Sequence, residues 1–480
     1  MTHHIRQYYL HLALNGTEAD GLALQSQLTG LCYDHLLPAL VRVLDRCVPP
    51  DVHLTLDRLE IEAGALMLDR LEQDAPATIA QAIEKALRGQ MAQLRRAPQL
   101  ATPAVQLKTG SRTIEEAFFY FLNTGRLPWS FRLPEGRPLE KAVLDAWAEM
   151  AGPATIPGRL RELLRQALAS ATVRQRLVWQ FSVAFREQVV AAFWPESLRQ
   201  MEEIRTMLRA TANGPDARDS AAAIGFEPQL WETMLAHIAS DTTTAAAELV
   251  RETWRQLPPT ARPPQLAKLL EQHWPGSTRQ ALPAADSSSE RTTSASAAKA
   301  ATPRTEITEA AAENPAESYY LDNAGLVLLH PFLPRFFEGL DLIEDNLFLR
   351  PERALALLHF LATGQPVAPE HELTLPKLLC AVPLPQPVAA DVGLTIVETV
   401  EADTLLRAVV RHWTALRSTS PDALRGTFLA RPGKLSLRPD GDWLLQVEPM
   451  SYDILLDQLP WGISMIQLPW MPRLLWVEWG

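Results

Sequence analysis

Apolar positions change their period several times along the chain, and each change marks an element. In residues 1–16 the alternate set Tyr8, Leu10, Leu12 and Leu14 is more apolar than its complement, which is the period of a strand, and Asn15-Gly16 is a turn signal. From Thr17, a fair N-cap, the spacing becomes helical. Leu22, Leu24, Leu28, Leu31, Leu36, Leu37, Leu40, Val41 and Leu44 recur until Pro49-Pro50 ends the run. HLTLDRLEIEAG, residues 53–64, reads as a second strand with a change of face at Asp57-Arg58, closed by Gly64. Helical spacing returns over 67–96 through Leu68, Leu71, Ile79, Ile83 and Leu87. The order β-α-β-α predicts a small α+β domain whose two strands can pair.

Residues 111–133 hold the motif SRTIEEAFFYFLNTGRLPWSF. Ser111 or Thr113 is placed to cap a helix, Glu116 answers Thr113 in the capping-box sense, and Ile114, Phe118, Phe119, Phe121 and Leu122 form its apolar face. Gly125 suits the left-handed stop of that helix, followed by a packed Trp129. Residues 136–275 are helical by composition, cut into short pieces by Gly152-Pro153, Pro157-Gly158, Gly214-Pro215, Pro258-Pro259 and Pro263-Pro264. Their arginines, among them Arg159, Arg161, Arg165, Arg174 and Arg176, read as the solvated face of these helices. Trp194, Trp231, Trp254 and Trp274 recur at intervals that hint at repeated short helical units, although the units do not align. Residues 276–317 are Ala, Ser, Thr, Glu and Pro with little to bury, the composition of a flexible linker.

The remainder is apolar again. Pro351 to Ala362 is a predicted helix stopped by Thr363-Gly364, and 392–417 holds a longer one. KLSLRPDGDWLLQVE, residues 434–448, is a predicted β-hairpin about Pro439-Asp440-Gly441, to which LPWGISMIQLPW and LLWVEW add strands. The expected fold is therefore mainly α with small β elements (α+β) and multi-domain. An N-terminal α+β domain occupies 1–135, a helical middle region 136–275, a linker 276–318 and a C-terminal α+β domain 319–480 with a hairpin or small sheet.

Composition narrows the function. A chain of 480 residues exceeds one ordinary core, which is the reason to expect several domains. A formal charge of −11 disfavours non-specific nucleic-acid binding. Cys32, Cys47 and Cys380, an odd count without CxxC spacing, fit free thiols in a reducing compartment. MTHHIRQYYLHLALNG lacks the apolar core and small-residue site of a secretory signal, and no uncharged apolar run reaches the roughly 20 residues a membrane span needs. Synthesis and folding in the cytoplasm, without membrane insertion, are expected.

Candidate chemistry is thin. His3, His4 and His11 lack metal-ligand spacing. His359, Glu370, His371 and Glu372 offer donors for a metal or acid–base work, but Pro376 and Lys377 follow where HExxH would need its second histidine. Asp322, Asn323 and His330 lie close without a nucleophile motif, and capping by Asp322 or Asn323 is the simpler reading. The expectation is no catalytic residue, no cofactor and no metal. The closing stretch Trp461–Gly480 stands apart, with four of the thirteen tryptophans. A terminus is usually polar and frayed. Here Trp461, Trp470, Trp476 and Trp479 bring more aromatic surface than a small sheet readily covers, and they are candidate partner-binding residues.

DNAGLVLLHPFLPRFFEGLDLI, FLATGQ, PEHELTLPKLLCAVPL and WLLQVEPMSYDILLDQLPWGISMIQLPWMPRLLWVEW resemble the contractile injection system tape measure protein family. DRLEIEAG and FLNTGRLPWSF resemble its leading segments more loosely, and 136–317 carries no such likeness. The family is associated with extracellular phage-tail-like particles, in which a sheath contracts around an inner tube. The resemblance implies a non-enzymatic structural or assembly protein that sets tube length or organises the tube lumen and ends. Its implied partners are baseplate, inner-tube or cap proteins, with self-association inside the particle compatible, and it implies a place in the extracellular particle after synthesis. As one helix, residues 136–317 would reach roughly 270 Å at about 1.5 Å per residue, but their prolines forbid that rod. An adaptor or chaperone for cargo or tube subunits, absent from the final particle, is the alternative. A hydrolase or metal enzyme using His330, His359 or His371 is a third.

Overall fold

The computed structural model describes all residues except 1–4, 6–8, 15–16, 18–23, 25–27, 29, 49–51, 57, 68–69, 97–104, 129–130, 132, 134–136, 152–157, 213–216, 243, 259–261, 263, 279–317, 418 and 480. The chain divides into two compact units, Met1–Phe119 with Leu127–Thr155, and Tyr120–Arg126 with Ile156–Gly480.

In the first unit a π-helical turn, Leu31–Leu36, leads into α1 (Leu37–Cys47). Strand β1 (Val52–Leu56) is followed by α2 (Leu71–Arg96), β2 (Val105–Thr109), α3 (Gly110–Thr124, whose last turn counts with the second unit) and α4 (Leu139–Ala151). Val43 of α1 and Ile83 and Leu87 of α2 form a small core, covered by Leu40, Leu54, Leu56, Leu59, Ile61 and Ile79. The apolar spacing of 53–61 therefore has a face to cover, as its alternation requires. The partner strand differs from the expectation. β1 pairs antiparallel with β2, Val52 opposite Thr109. The strand expected in 1–16 lies partly outside the described residues, and Ile5 and Tyr9–Leu14 are not in a strand. Helix α3 starts at Gly110, so Ser111 and Thr113 fall inside its first turn. Ser111 donates to the Glu149 carboxylate of α4, and Phe118 meets Trp147 edge-on at 5.5 Å.

The second unit begins with seven helices: α5 (Gly158–Ala167), α6 (Ala171–Gln180), α7 (Val183–Phe193), α8 (Pro195–Ala212), α9 (Ala217–Ala239), α10 (Ala246–Gln256) and α11 (Pro264–His273). Prolines open α8 and α11, where a missing N–H costs nothing. Ser182 caps α7 by accepting from the Phe185 N–H at 3.1 Å. Trp194, Trp231 and Trp254 are buried in the core of this region. Most of the expected linker, 279–317, lies outside the described residues, as does Trp129.

Then come β3 (Ser318–Leu321), a buried 3-10 helix over Ala324–Leu329, α12 (Leu333–Gly339), a two-stranded ribbon of β4 (Ile343–Glu344) and β5 (Leu347–Phe348), α13 (Pro351–Thr363), α14 (Thr374–Leu379), α15 (Ile396–His412) and α16 (Pro421–Leu424). Gly364, with φ of 73°, ends α13 as its sequence predicts. Strands β6 (Gly433–Leu437) and β7 (Trp443–Val447) make the expected hairpin, with Gly441 at φ 90° in the turn. Strands β8 (Met465–Ile466) and β9 (Leu475–Trp479) complete a five-stranded sheet in the order β3-β6-β7-β9-β8. Strand β9 runs parallel to β7, Trp443 opposite Leu475, so the tail occupies an interior position of the sheet. The architecture is mainly α with a small mixed sheet, and Cys32, Cys47 and Cys380 are unpaired.

Two joints hold the C-terminal part in register. Gly325 lies against the backbone of Phe428 and Leu429, and a Cβ there would meet the Phe428 carbonyl carbon at 2.6 Å and the Leu429 Cα at 2.7 Å. Arg353 of α13 binds Glu398 of α15 through Nε at 2.7 Å and Nη2 at 2.6 Å, and donates to the Val392 and Gly393 carbonyls at 3.1 Å. Glu398 also closes a capping box with Thr395. The Arg353 guanidinium, followed by the Thr395 hydrogen bonds, holds the Glu398 carboxyl at about 2 against an ordinary 4.5, although burial opposes them.

Gly325→Ala is expected to lower stability by about 2 kcal/mol or more through overpacking against rigid backbone. Gly462→Ala, with open space around its Cα, changes it by less than about 0.5 kcal/mol. Urea midpoints of the two variants check this. Glu398→Gln is expected to cost about 1–3 kcal/mol at pH 7. A carboxylate whose pKa is lower in the folded chain stabilises it above the unfolded value and loses that contribution as pH falls through the folded value. The difference between wild type and Glu398→Gln should therefore persist above pH 4.5 and shrink toward pH 2, as unfolding curves across that range would show.

Candidate functional site

The densest buried chemistry is a charge triad in the second unit. On α6, Val173, Arg176, Leu177 and Gln180 follow one another at helical spacing, so Arg176 sits on the apolar side of its helix. This corrects the reading of Arg176 as solvated. It is fully buried, as are Glu370 and Lys377. Its Nε donates to Glu370 Oε2 at 2.8 Å and its Nη2 to Oε1 at 3.1 Å, a bidentate pair. Lys377 Nζ, from α14, donates to the same Oε1 at 2.7 Å.

Two cations on one carboxylate leave a surplus positive charge, and backbone carbonyls take it up. Arg176 donates to Leu122 O at 2.6 Å and Pro385 O at 2.8 Å. Lys377 donates to Leu384 O at 3.0 Å and Gln386 O at 2.7 Å. Burial, followed by the Arg176 charge, lowers the Lys377 pKa, although Glu370 pulls the other way. Gln180 extends the network, accepting from the Glu370 N–H at 2.8 Å and donating to Val388 O at 2.7 Å. Gly125, at φ 75°, completes it, because any Cβ there would run into the Glu370 carboxylate. The sequence places Gly125 at a helix stop, and its second role appears only here. The group binds three segments far apart in sequence: 122–125, 176–180 and 370–388.

The four tryptophans of the tail are each half-buried, and each indole N–H has an acceptor in the same unit. Trp461 donates to Leu328 O at 3.1 Å and lies edge-on to Phe332 at 5.2 Å. Trp470 donates to Leu379 O at 2.7 Å and packs edge-on against Phe348 at 5.1 Å. Trp476 donates to Asp442 at 3.3 Å, with the Arg438 guanidinium 5.1 Å from its ring centre. Trp479 donates to Asp453 at 3.2 Å beside Arg431, which is itself bidentate to Asp453 at 2.8 Å. Each indole N–H is thus used within the fold, and each side chain remains half-buried.

The histidine and carboxylate candidates are brought together only in part. His359 Nε2 lies 2.8 Å from Glu372, whereas His371 is 3.7 Å from the same carboxylate and sits edge-on to Phe121 at 5.9 Å. Burial lowers the His371 pKa, which favours the neutral ring. Glu370 belongs to the triad. Asn323 does not cap the helix it precedes; its amide donates to Glu372 O at 2.7 Å. His330 bonds the Val327 carbonyl at 3.0 Å, and burial lowers its pKa. Among the described residues no three His, Cys, Asp or Glu side chains converge as a metal ion requires.

A buried charge clamp thus ties α6 to Glu370 and Lys377, and the tail strand β9 lies inside the sheet. The family model for the contractile injection system tape measure protein matches residues 2–479, and the chain belongs to that family. It is thus a structural protein of a contractile injection system, associated with other components of such a system. No curated protein and no solved structure matches it significantly. No described helix is long and apolar enough to cross a membrane.

Removing Arg176 leaves Glu370 paired with Lys377 but strips the donors from Glu370 Oε2 and from the Leu122 and Pro385 carbonyls, and each buried acceptor left unmade costs about 1–3 kcal/mol. Arg176→Met should lower stability by about 3 kcal/mol or more and expose the 384–388 segment to limited proteolysis. A loss under about 1 kcal/mol by urea denaturation would mean the triad does not hold these segments together.

Proposed function

We propose that the protein is a non-enzymatic assembly factor of a contractile injection particle, setting tube length or organising the tube lumen and ends. Family membership over nearly the whole chain is the observation that carries this reading. The proposed partners are baseplate, inner-tube or cap proteins. The exposed part of the half-buried Trp461, Trp470, Trp476 and Trp479 side chains is the proposed anchor for them, the N–H groups being already taken. On this reading the protein, once made, becomes part of the extracellular particle.

A second reading, the adaptor or chaperone that leaves before the particle is complete, draws support from the triad. A ruler needs reach proportional to residue number. Arg176 instead ties the helical region to Glu370 and Lys377, and α5–α11 fold back within one compact unit. Reach along a tube would then come from chain outside α5–α11 or from several copies in series.

Duplicating residues 279–317 separates these readings. If the protein measures length, particles imaged by electron microscopy lengthen and mass spectrometry detects the chain within them. Constant length with the chain present supports organisation of the ends or lumen. Absence of the chain from purified particles overturns the structural role in favour of the adaptor.

A further inference from the structure

One helix of the C-terminal part is apolar on two sides. Ala402, Leu405, Leu406, Val409 and Val410 of α15 are buried in the core. Ile396, Val397 and Val400, in its first turns, are 82, 67 and 55% exposed. The outward side of a surface helix is normally polar. β-branched residues are also weaker helix formers than the straight-chain polar residues such positions usually hold, so local helix stability does not account for these three.

They belong to one stripe with a charged end. At about 100° per residue, Ile396, Val397, Thr404, Arg407 and Arg411 all fall within about 60° of Val400 around the helix axis, and all are exposed. The stripe is apolar over the first turns and basic toward the last. Among the described residues Arg407 and Arg411 have no carboxylate partner. The nearby acids are turned away or already bonded. Glu398 lies on the opposite side of the helix and is bonded to Arg353. Asp403, at the edge of the stripe, is bonded to Arg425, which also holds Asp422. Glu401 lies on the flank, about 100° round from Val400.

We propose that this stripe of α15 docks an acidic amphipathic helix of another protein. The leucine-type side chains of that helix cover Ile396, Val397 and Val400, and carboxylates at one of its ends meet Arg407 and Arg411. Apolar contact supplies the affinity, and the arginine pair supplies selectivity and sets the direction of the partner helix. Carboxylates are favoured in the first turn of a helix, so the partner runs antiparallel to α15 with its N-terminus at the arginines. A second copy of the same stripe is a poor match. Packed parallel it brings the arginine pairs together, and packed antiparallel it sets arginines against Ile396, Val397 and Val400. An anionic lipid surface is a poor match too. Membrane-bound helices carry their bases on the face opposite the apolar one, whereas here both lie end to end on one face.

The test uses the full-length chain and two synthetic helical peptides with the same leucine face, one with glutamates and one with lysines in its N-terminal turns. Calorimetric titration should show the glutamate peptide binding at least about tenfold more tightly than its lysine counterpart, with affinity falling as salt rises. Arg407→Glu/Arg411→Glu should invert that preference. Ile396→Ser/Val397→Ser/Val400→Ser preserves all charges and replaces only exposed side chains, so its thermal midpoint should match wild type while binding of the glutamate peptide falls about tenfold or more. Equal affinity for the two peptides, no binding of the glutamate peptide, or unchanged binding by either variant overturns the proposal. So does a dimer, or binding to vesicles of anionic phospholipid, that is lost in the serine variant. The peptides report on α15 alone, so a negative result leaves the proposed assembly role standing.

Discussion

The fold of the second unit depends on one buried carboxylate. Glu370 lies between the Arg176 guanidinium and the Lys377 ammonium, on elements separated by nearly two hundred positions in the case of Arg176. Taking three charges out of water is costly, and their attraction offsets this only when every remaining donor is also satisfied. Here the surplus donors go to Leu122, Pro385, Leu384 and Gln386 carbonyls. That arrangement explains how a segment without regular structure, 383–390, is held against the fold with Leu384 and Val388 buried. Its backbone has no ladder partners of its own, so Arg176, Lys377 and Gln180 provide donors. A shift of α6 by one residue would leave several of these groups unpaired together, which makes the packing of the helical region specific as well as stable.

A similar logic closes the sheet. The tail strand β9 lies between β7 and β8, and the acids Asp442 and Asp453 receive the indoles of Trp476 and Trp479. Asp453 is held in turn by Arg431, and Asp442 also accepts the Leu474 N–H at 3.2 Å. The aromatic stretch that ends the chain is thus an integral part of its core. The tryptophans serve the fold through their N–H groups and leave ring surface over, so a structural and a docking role do not compete for the same atoms.

For a member of a tape measure family, this organisation bears on how length could be read. Helices that fold back and are fastened by buried charges do not lengthen with residue number. Length information would have to reside outside α5–α11 or in the number of copies.

Much of the local structure was legible in the residues. The period of apolar positions predicts α2, α13 and the β6–β7 hairpin, and Gly125 and Gly364 mark helix ends because only a left-handed stop explains glycine there. The four tail tryptophans stand out by count alone. What no local pattern carries is pairing at a distance. Strand β1 meets Val105–Thr109 rather than the first residues of the chain, β3 joins the C-terminal sheet from Ser318–Leu321, and β9 lies parallel to β7. Arg176 reads as one arginine among many, and only its place between Val173 and Leu177 on a buried helix face hints otherwise. Hydrophobic period is a property of neighbours in sequence, so sequence determines the elements. Whether a charged side chain is solvated or sealed depends on which distant carbonyls and carboxylates arrive beside it, and that is decided when the chain folds.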